Sequence, residues 1–190
     1  MILVFFGPPG SGKGTQAKFI STTFNIPHLS TGEILRNSLK EKTNLSLQLK
    51  KIIDSGGLVS DDILNQIITD RISQKDCKKG FIFDGYPRTL SQAYFINGYF
   101  LENNLKVKFF FEFKIDNQII SKRISKRAIE EGRNDDNIEI IQNRLNEYKE
   151  ETLPVLAYYE KEYKSIYLKI EGSQEITKIN SLLLDFLKKD

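Results

Sequence analysis

The apolar run MILVFF, followed at once by GPPGSGKGTQ (residues 7–16), constrains this chain more than any other feature. Six apolar residues in succession predict a strand covered on both faces. Gly7, Gly10, Gly12, Lys13 and Gly14 then nearly spell the phosphate-loop pattern G-x-x-x-x-G-K-[ST]. Glycines let backbone N–H groups crowd around phosphate oxygens, and the helix behind them adds the positive end of its dipole. Lys13 brings a compact charge for terminal phosphates. The hydroxyl residue that holds magnesium in such loops is displaced: Gly14 stands there and Thr15 comes one place late. A magnesium ion would then rely on phosphate oxygens, water and a carboxylate elsewhere, which it tolerates because it keeps several waters.

The order of elements fits that opening. Helical spacing runs from Lys13 to Phe24, and Ser30-Thr31-Gly32-Glu33 has capping-box form, starting a helix through Leu39. A second helix is expected from Leu45 to Asp54, stopping at Gly56-Gly57, and Ser60-Asp61-Asp62 should cap another to about Ser73. GFIFDG (80–85), VKFFFEF (107–113) and IYLKI (166–170) predict further buried strands. Helical patterns at 90–103, 116–129, 136–163 and 173–188 lie between and after them. Strands alternating with helices imply an α/β fold with a parallel sheet and right-handed crossovers. Two parts interrupt the alternation: the helical pair 30–59 suggests a small subdomain, and AIEEGRNDDN (128–137) suggests a lid.

Bulk properties narrow the class. A chain of 190 residues is most simply one domain with a substantial core. Its net charge of +3 is mild and its lysines are scattered, so no nucleic-acid surface is indicated. Cys77 is the sole cysteine, which leaves no internal disulfide and no four-cysteine zinc site, and fits a reducing, cytoplasmic setting. No signal peptide is visible, and no apolar run approaches a membrane span.

Asp84 ends the strand GFIFD, at the sheet edge where open α/β folds bind ligands, and is the candidate carboxylate for magnesium. In DGYPRTLSQ (84–92), Gly85 lets a ligand approach the backbone and Pro87 fixes a turn. Arg88 can clamp phosphate with two parallel hydrogen bonds, and Gln92 carries an amide able to read a base edge. Only seven of the 28 basic residues are arginine. Arg36, Arg88, Arg123, Arg127, Arg133 and Arg144 therefore stand out as phosphate ligands, because the planar fork outperforms lysine there. Arg123 and Arg127 share one helical face. Arg71 reads as an ordinary salt-bridge residue. Asp135 and Asp136 either cap the next helix with Glu139 or hold lid arginines in pose, and both roles can coexist. The single histidine, His28, reads as structural.

Together GPPGSGKGTQ, STGEILR (30–36), GGLVSDD (56–62), GFIFDGYPRTLSQ (80–92), KRISKR (122–127) and GRNDDN with Arg144 resemble the nucleoside monophosphate kinase family, in its adenylate kinase branch, over nearly the whole chain. That family has GKGT where other phosphate loops have GK[ST]. The resemblance implies a P-loop NTPase-type three-layer fold with a five-stranded parallel sheet, one strand being a short one near 27–30. It implies a core of 1–29, 60–125 and 137–190, a monophosphate-binding part at 30–59, and a short lid at 126–136 with no zinc. It implies reversible transfer between Mg-ATP and AMP, with the nucleotides ATP, AMP and ADP as partners and neither nucleic acid nor membrane, in a cytoplasmic monomer. ATP would lie on Gly10, Ser11, Gly12, Lys13, Gly14, Thr15, Arg123, Arg127 and Gln174. AMP would lie on Thr31, Arg36, Gly57, Leu58, Val59, Gly85, Tyr86, Pro87, Arg88, Gln92, Arg133 and Arg144. Catalysis would fall to Lys13, Arg88, Arg123, Arg127, Arg133 and Arg144, lid orientation to Asp135 and Asp136, and magnesium to Asp84 through water. Thr31 and Gln92 mark the adenine type, since pyrimidine relatives tend to carry alanine and asparagine there. A UMP/CMP kinase would share nearly everything else, and a nucleotide-dependent switch would share the loop but need no acceptor.

Arg88→Lys keeps the charge and loses the fork. We expect kcat to fall about a hundredfold with the circular-dichroism spectrum unchanged; near-normal turnover would refute the phosphate assignment.

Overall fold

The computed structural model describes residues 1–38, 59–116, 118–120, 122–124 and 138–188. Strand β1 (Ile2–Phe6) runs into the glycine loop and α1 (Lys13–Phe24), then β2 (His28–Ser30) and α2 (Thr31–Ser38). Next come α3 (Asp61–Ile72), β3 (Phe81–Asp84), α4 (Leu90–Glu102) and β4 (Val107–Lys114). The chain closes with α5 (Ile138–Glu147), α6 (Leu153–Glu162), β5 (Tyr167–Glu171) and α7 (Ile176–Lys188). The five strands form one parallel sheet in the order β2-β3-β1-β4-β5.

Burial explains the order. All five residues of β1 are buried, so this strand takes the middle, with apolar partners on both faces. Side chains alternate across the pleat. Leu3 and Phe5 join Ile82, Phe111 and Phe113 against Ala17 and Ile20 of α1 and Ile179 and Leu183 of α7. Ile2, Val4 and Phe6 join Phe81, Phe83 and Phe110 against Ile68 of α3, Ile96 of α4, and Val155 and Tyr159 of α6. The result is three layers, as expected of the α/β alternation. Tyr159 stacks on Phe110 with ring centroids 4.5 Å apart.

Because every strand is parallel, Phe6, Ser30, Asp84, Lys114 and Glu171 all end at the same edge. The loops leaving that edge build the site.

The elements largely follow the sequence pattern, with informative departures. The expected helix 136–163 starts at Ile138 and is broken into α5 and α6 by a π turn over Tyr148–Thr152, where the Leu153 N–H reaches the Tyr148 carbonyl. Pro154, in the first turn of α6, has no N–H to donate, and widening the helix just before it absorbs that gap. Helix α7 begins at Ile176, three residues later than the pattern suggested. At α2 the expected cap is present, the Glu33 N–H donating to Ser30 Oγ at 3.4 Å. At α3 it is not: Ser60 holds the N-cap position without a side-chain bond. Residues 118–120 and 122–124 of the expected helix 116–129 are helical. The expected helix 45–54, most of the segment 30–59 and all of the lid 126–136 lie outside the described residues. Among the described residues, no helix is long and apolar enough to cross a membrane.

Arg71 behaves as an ordinary salt-bridge residue, gripping Asp76 through two bonds of 2.9 and 2.7 Å. Beside it Cys77 is buried, and burial pushes its thiol up to about 11. At pH 8 its thiolate fraction is then about two hundredfold below that of a free cysteine. Alkylation by iodoacetamide, followed by mass spectrometry, should be slow in the folded protein and fast in denaturant; equal rates would contradict the burial.

Candidate active site

A cleft of about 590 Å³ follows the carboxyl edge of the sheet. Its floor is the loop after β1. Gly10 (φ 77°) and Gly12 (φ 90°) adopt the left-handed backbone that glycine accommodates, and Gly12 caps α1. The loop is tightly drawn: the Ser11 N–H donates to the Pro8 carbonyl at 3.2 Å, and Lys13 Nζ donates to the same carbonyl at 3.3 Å. The turn between β5 and α7 presses on it. A Cβ on Gly172 would lie 2.8 Å from the Ser11 carbonyl oxygen, so only glycine fits. Arg123 donates to the Gly172 carbonyl at 2.8 Å, and its Nη1 would lie 3.7 Å from a Cβ at Gly12. One expected phosphate ligand thus sits at the rim of the loop.

Asp84 faces the loop from the end of β3. A Cβ on Gly14 would stand 3.3 Å from Asp84 Oδ2, closer than a side-chain carbon ordinarily sits. Here lies a physical reason for glycine where other phosphate loops carry serine or threonine. A side chain at position 14 and the Asp84 carboxylate entering from the neighbouring strand would compete for one space. Asp84 also pairs with His28 Nε2 at 2.9 Å. Burial alone would raise the Asp84 carboxyl, but the His28 hydrogen bond and the charges of Lys13 and Arg88 outweigh it and hold the group below the usual carboxylate range. Asp84 is therefore ionised at neutral pH.

Arg88 occupies the turn after Asp84. The Tyr86–Pro87 peptide bond is cis. The Arg88 Nε donates to the Gly85 carbonyl at 2.8 Å and its Nη2 to Thr31 Oγ1 at 3.4 Å. Burial lowers the Arg88 pKa, and the charges of Arg144 and Arg36 lower it further against the opposing pull of Asp84 and Glu147. Three guanidinium groups from α2, the β3–α4 turn and α5 thus converge from separate parts of the chain. Such clustered positive charge is what an anion between them stabilises.

Behind this cluster stand the residues expected to recognise the acceptor. Thr31 is buried, its hydroxyl donating to the Gly85 carbonyl at 2.9 Å. Gln92 is wholly buried, accepting from the Arg88 N–H at 2.7 Å and donating to Asp61 at 2.7 Å. Its amide is engaged in shaping the Arg88 turn and does not line the cleft. Tyr86 is likewise buried, donating to Asn65 at 2.6 Å, and Val59 is buried in the core. Pro87 and Gln174 line the cleft with Gly10, Ser11, Gly12, Lys13, Gly14 and Thr15. Gly57, Leu58, Arg127, Arg133, Asp135 and Asp136 lie outside the described residues.

Sequence reasoning missed part of the wall. Glu147, Tyr148 and Thr152 line the cleft beside Arg144. Their offsets of three, four and eight residues from Arg144 place them on one helical face, a signal that was available. The sequence reads His28 as structural; its pairing with Asp84 depends on two strands meeting side by side.

The parallel sheet and the glycine loop between β1 and α1 place the chain in the P-loop class of nucleotide-handling proteins. The family model described as adenylate kinase matches residues 5–164. The chain is 40% identical to the adenylate kinase of Acholeplasma laidlawii, over 98% of either protein. It is 40% identical to that of Agrobacterium fabrum, over 100% of this chain and 98% of the relative. With that of Leptospira biflexa it shares 41% identity, over 96% and 97% respectively. The chain belongs to the adenylate kinase family and is a phosphotransferase.

Gly14→Ser, which restores the common phosphate-loop pattern, should crowd Asp84 and reduce kcat/KM for ATP by about tenfold to a hundredfold, with thermal unfolding shifted little. Activity at or above the starting level would refute the steric account.

Proposed function

We propose that this chain catalyses ATP + AMP giving two ADP and back, and so balances adenine nucleotides, with two nucleotides held at once in the one cleft. The donor's phosphates lie on the glycine loop under Lys13 and Arg123, and the acceptor's phosphate lies among Arg36, Arg88 and Arg144. The convergence of those three guanidinium groups carries the reading, because a protein binding a single nucleotide has no use for a second anion site. Arg127 and Arg133 complete the charge around the transferring group, with Asp135 and Asp136 orienting the lid at 126–136; the monophosphate-binding part is 30–59.

The chemistry needs no general base. An AMP phosphate oxygen, ionised at neutral pH, attacks the donor's terminal phosphorus, and the bond to the departing ADP breaks. Three negative phosphate groups must approach one another, so charge compensation and alignment form the barrier the protein lowers. Asp84 suits magnesium: it is an ionised, buried carboxylate at the phosphate loop, and Gly14 leaves it room. Asp84 would hold the ion, through water, and the ion would supply positive charge to the terminal phosphates. Thr31 and Gln92 support adenine at the acceptor position by fixing the turn that carries Gly85 and Arg88. A cytoplasmic monomer is the state in which such an enzyme would act.

A coupled assay offering Mg-ATP with AMP, CMP, UMP or GMP should give ADP fastest with AMP by at least tenfold. Two adenosines joined through five phosphates should compete with both substrates. Inhibition against only one, or equal rates with CMP, would overturn the proposal.

A further inference from the structure

Gln16 lies on α1, one turn beyond Lys13, and is 1% exposed. It lines the cleft with Gln174, Ile176 and Ile179 at the start of α7. Its Nε2 donates to the Ile176 carbonyl at 3.4 Å, a long bond. Its Oε1 is buried and has no hydrogen-bond partner among the described residues. A buried amide oxygen without a donor costs on the order of 1–3 kcal/mol, so its position calls for a reason.

The orientation of that amide is decided by its surroundings. Ile176 presents a carbonyl, which can only accept, so the NH2 end of Gln16 must face it and the oxygen must face elsewhere. The location is equally constrained. The acceptor's phosphate site lies toward α2, at Arg36 and Arg88, on the Asp84 side of the loop. A donor with its phosphates on the loop must extend its base the other way, over Gly172, Gln174 and Ile176, where Gln16 closes the wall. The apolar side chains of Ile176 and Ile179 suit a flat ring there, and the terminal torsion of glutamine is soft.

We infer that Gln16 determines the choice of donor base: its amide oxygen accepts a hydrogen bond from an exocyclic amine, as on adenine, and rejects a keto group at that edge. The inference rests on the two-nucleotide reading above and names a specificity residue within it. A keto oxygen facing Oε1 would set two acceptors together, and flipping the amide to greet it would set Oε1 against the Ile176 carbonyl. Either way one pairing is lost. Discrimination by an unpaired buried polar group of this kind is stronger than discrimination by shape alone.

The test compares ATP, ITP and purine riboside triphosphate (ATP without its amino group) as donors to AMP, in the wild-type protein and in Gln16→Met, which keeps length and removes the acceptor. In the wild type, kcat/KM should fall about tenfold or more from ATP to purine riboside triphosphate, and further to ITP. In Gln16→Met the ATP value should drop by a similar factor while purine riboside triphosphate loses nothing more, so the two changes are not additive. Equal losses with all three donors would mean that Gln16 only holds α1 to α7, and would overturn the inference. Should the variant fail to fold, a wild type indifferent to the amino group overturns it as well. Absence of any ADP from ATP and AMP in the wild type would instead remove the underlying reading, and this inference with it.

Discussion

The whole arrangement depends on β1 being buried on both faces in the middle of a parallel sheet. Only from that position does the chain emerge at the sheet's centre with Asp84 on one side and the β5–α7 turn on the other. The loop after β1 carries no charge except Lys13, and its strength lies in backbone N–H groups that must all point one way. Its own bonds to the Pro8 carbonyl draw it tight. It is also held by contact: Gly172 packs against the Ser11 carbonyl, and Gly14 packs against Asp84.

A second constraint is electrostatic. The cleft brings Arg36, Arg88 and Arg144 together, and their mutual repulsion works against folding unless opposed. Asp84 and Glu147 supply part of the opposition. The arginines are tethered by neutral acceptors where the structure shows their bonds: Arg88 by the Gly85 carbonyl, Arg123 by that of Gly172. A carbonyl tether leaves the charge unneutralised for a phosphate, which a carboxylate partner would not. Stability is thus spent on charge density in the cleft.

Much of this was legible in one dimension because its causes are local. A continuous apolar run predicts a covered strand, glycine spacing predicts a loop, and Asp84 at a strand's end predicts a position at the edge. The α2 cap at Ser30 formed as its pattern required. The α3 cap at Ser60 did not; the side chain of the next residue, Asp61, accepts instead from Thr89 and Gln92 on another element. Gln92 shows the same limit. It is buried and bonded to Arg88 and Asp61, and the chain between 61 and 92 says nothing of that meeting. The π turn was hidden for a different reason: it changes the hydrogen-bond ladder without interrupting the apolar spacing around it.

By itself the sequence determined the α/β class, the phosphate loop, the choice of arginine over lysine at the anion positions and the family. These are properties of residue type and short spacing, which survive in any compact arrangement. The tertiary structure alone decided which groups meet: His28 with Asp84, three arginines from distant segments, and Gln16 with the turn before α7. Such encounters arise from strand order and helix packing, where small shifts in geometry separate a bond from a gap, and no local pattern encodes them.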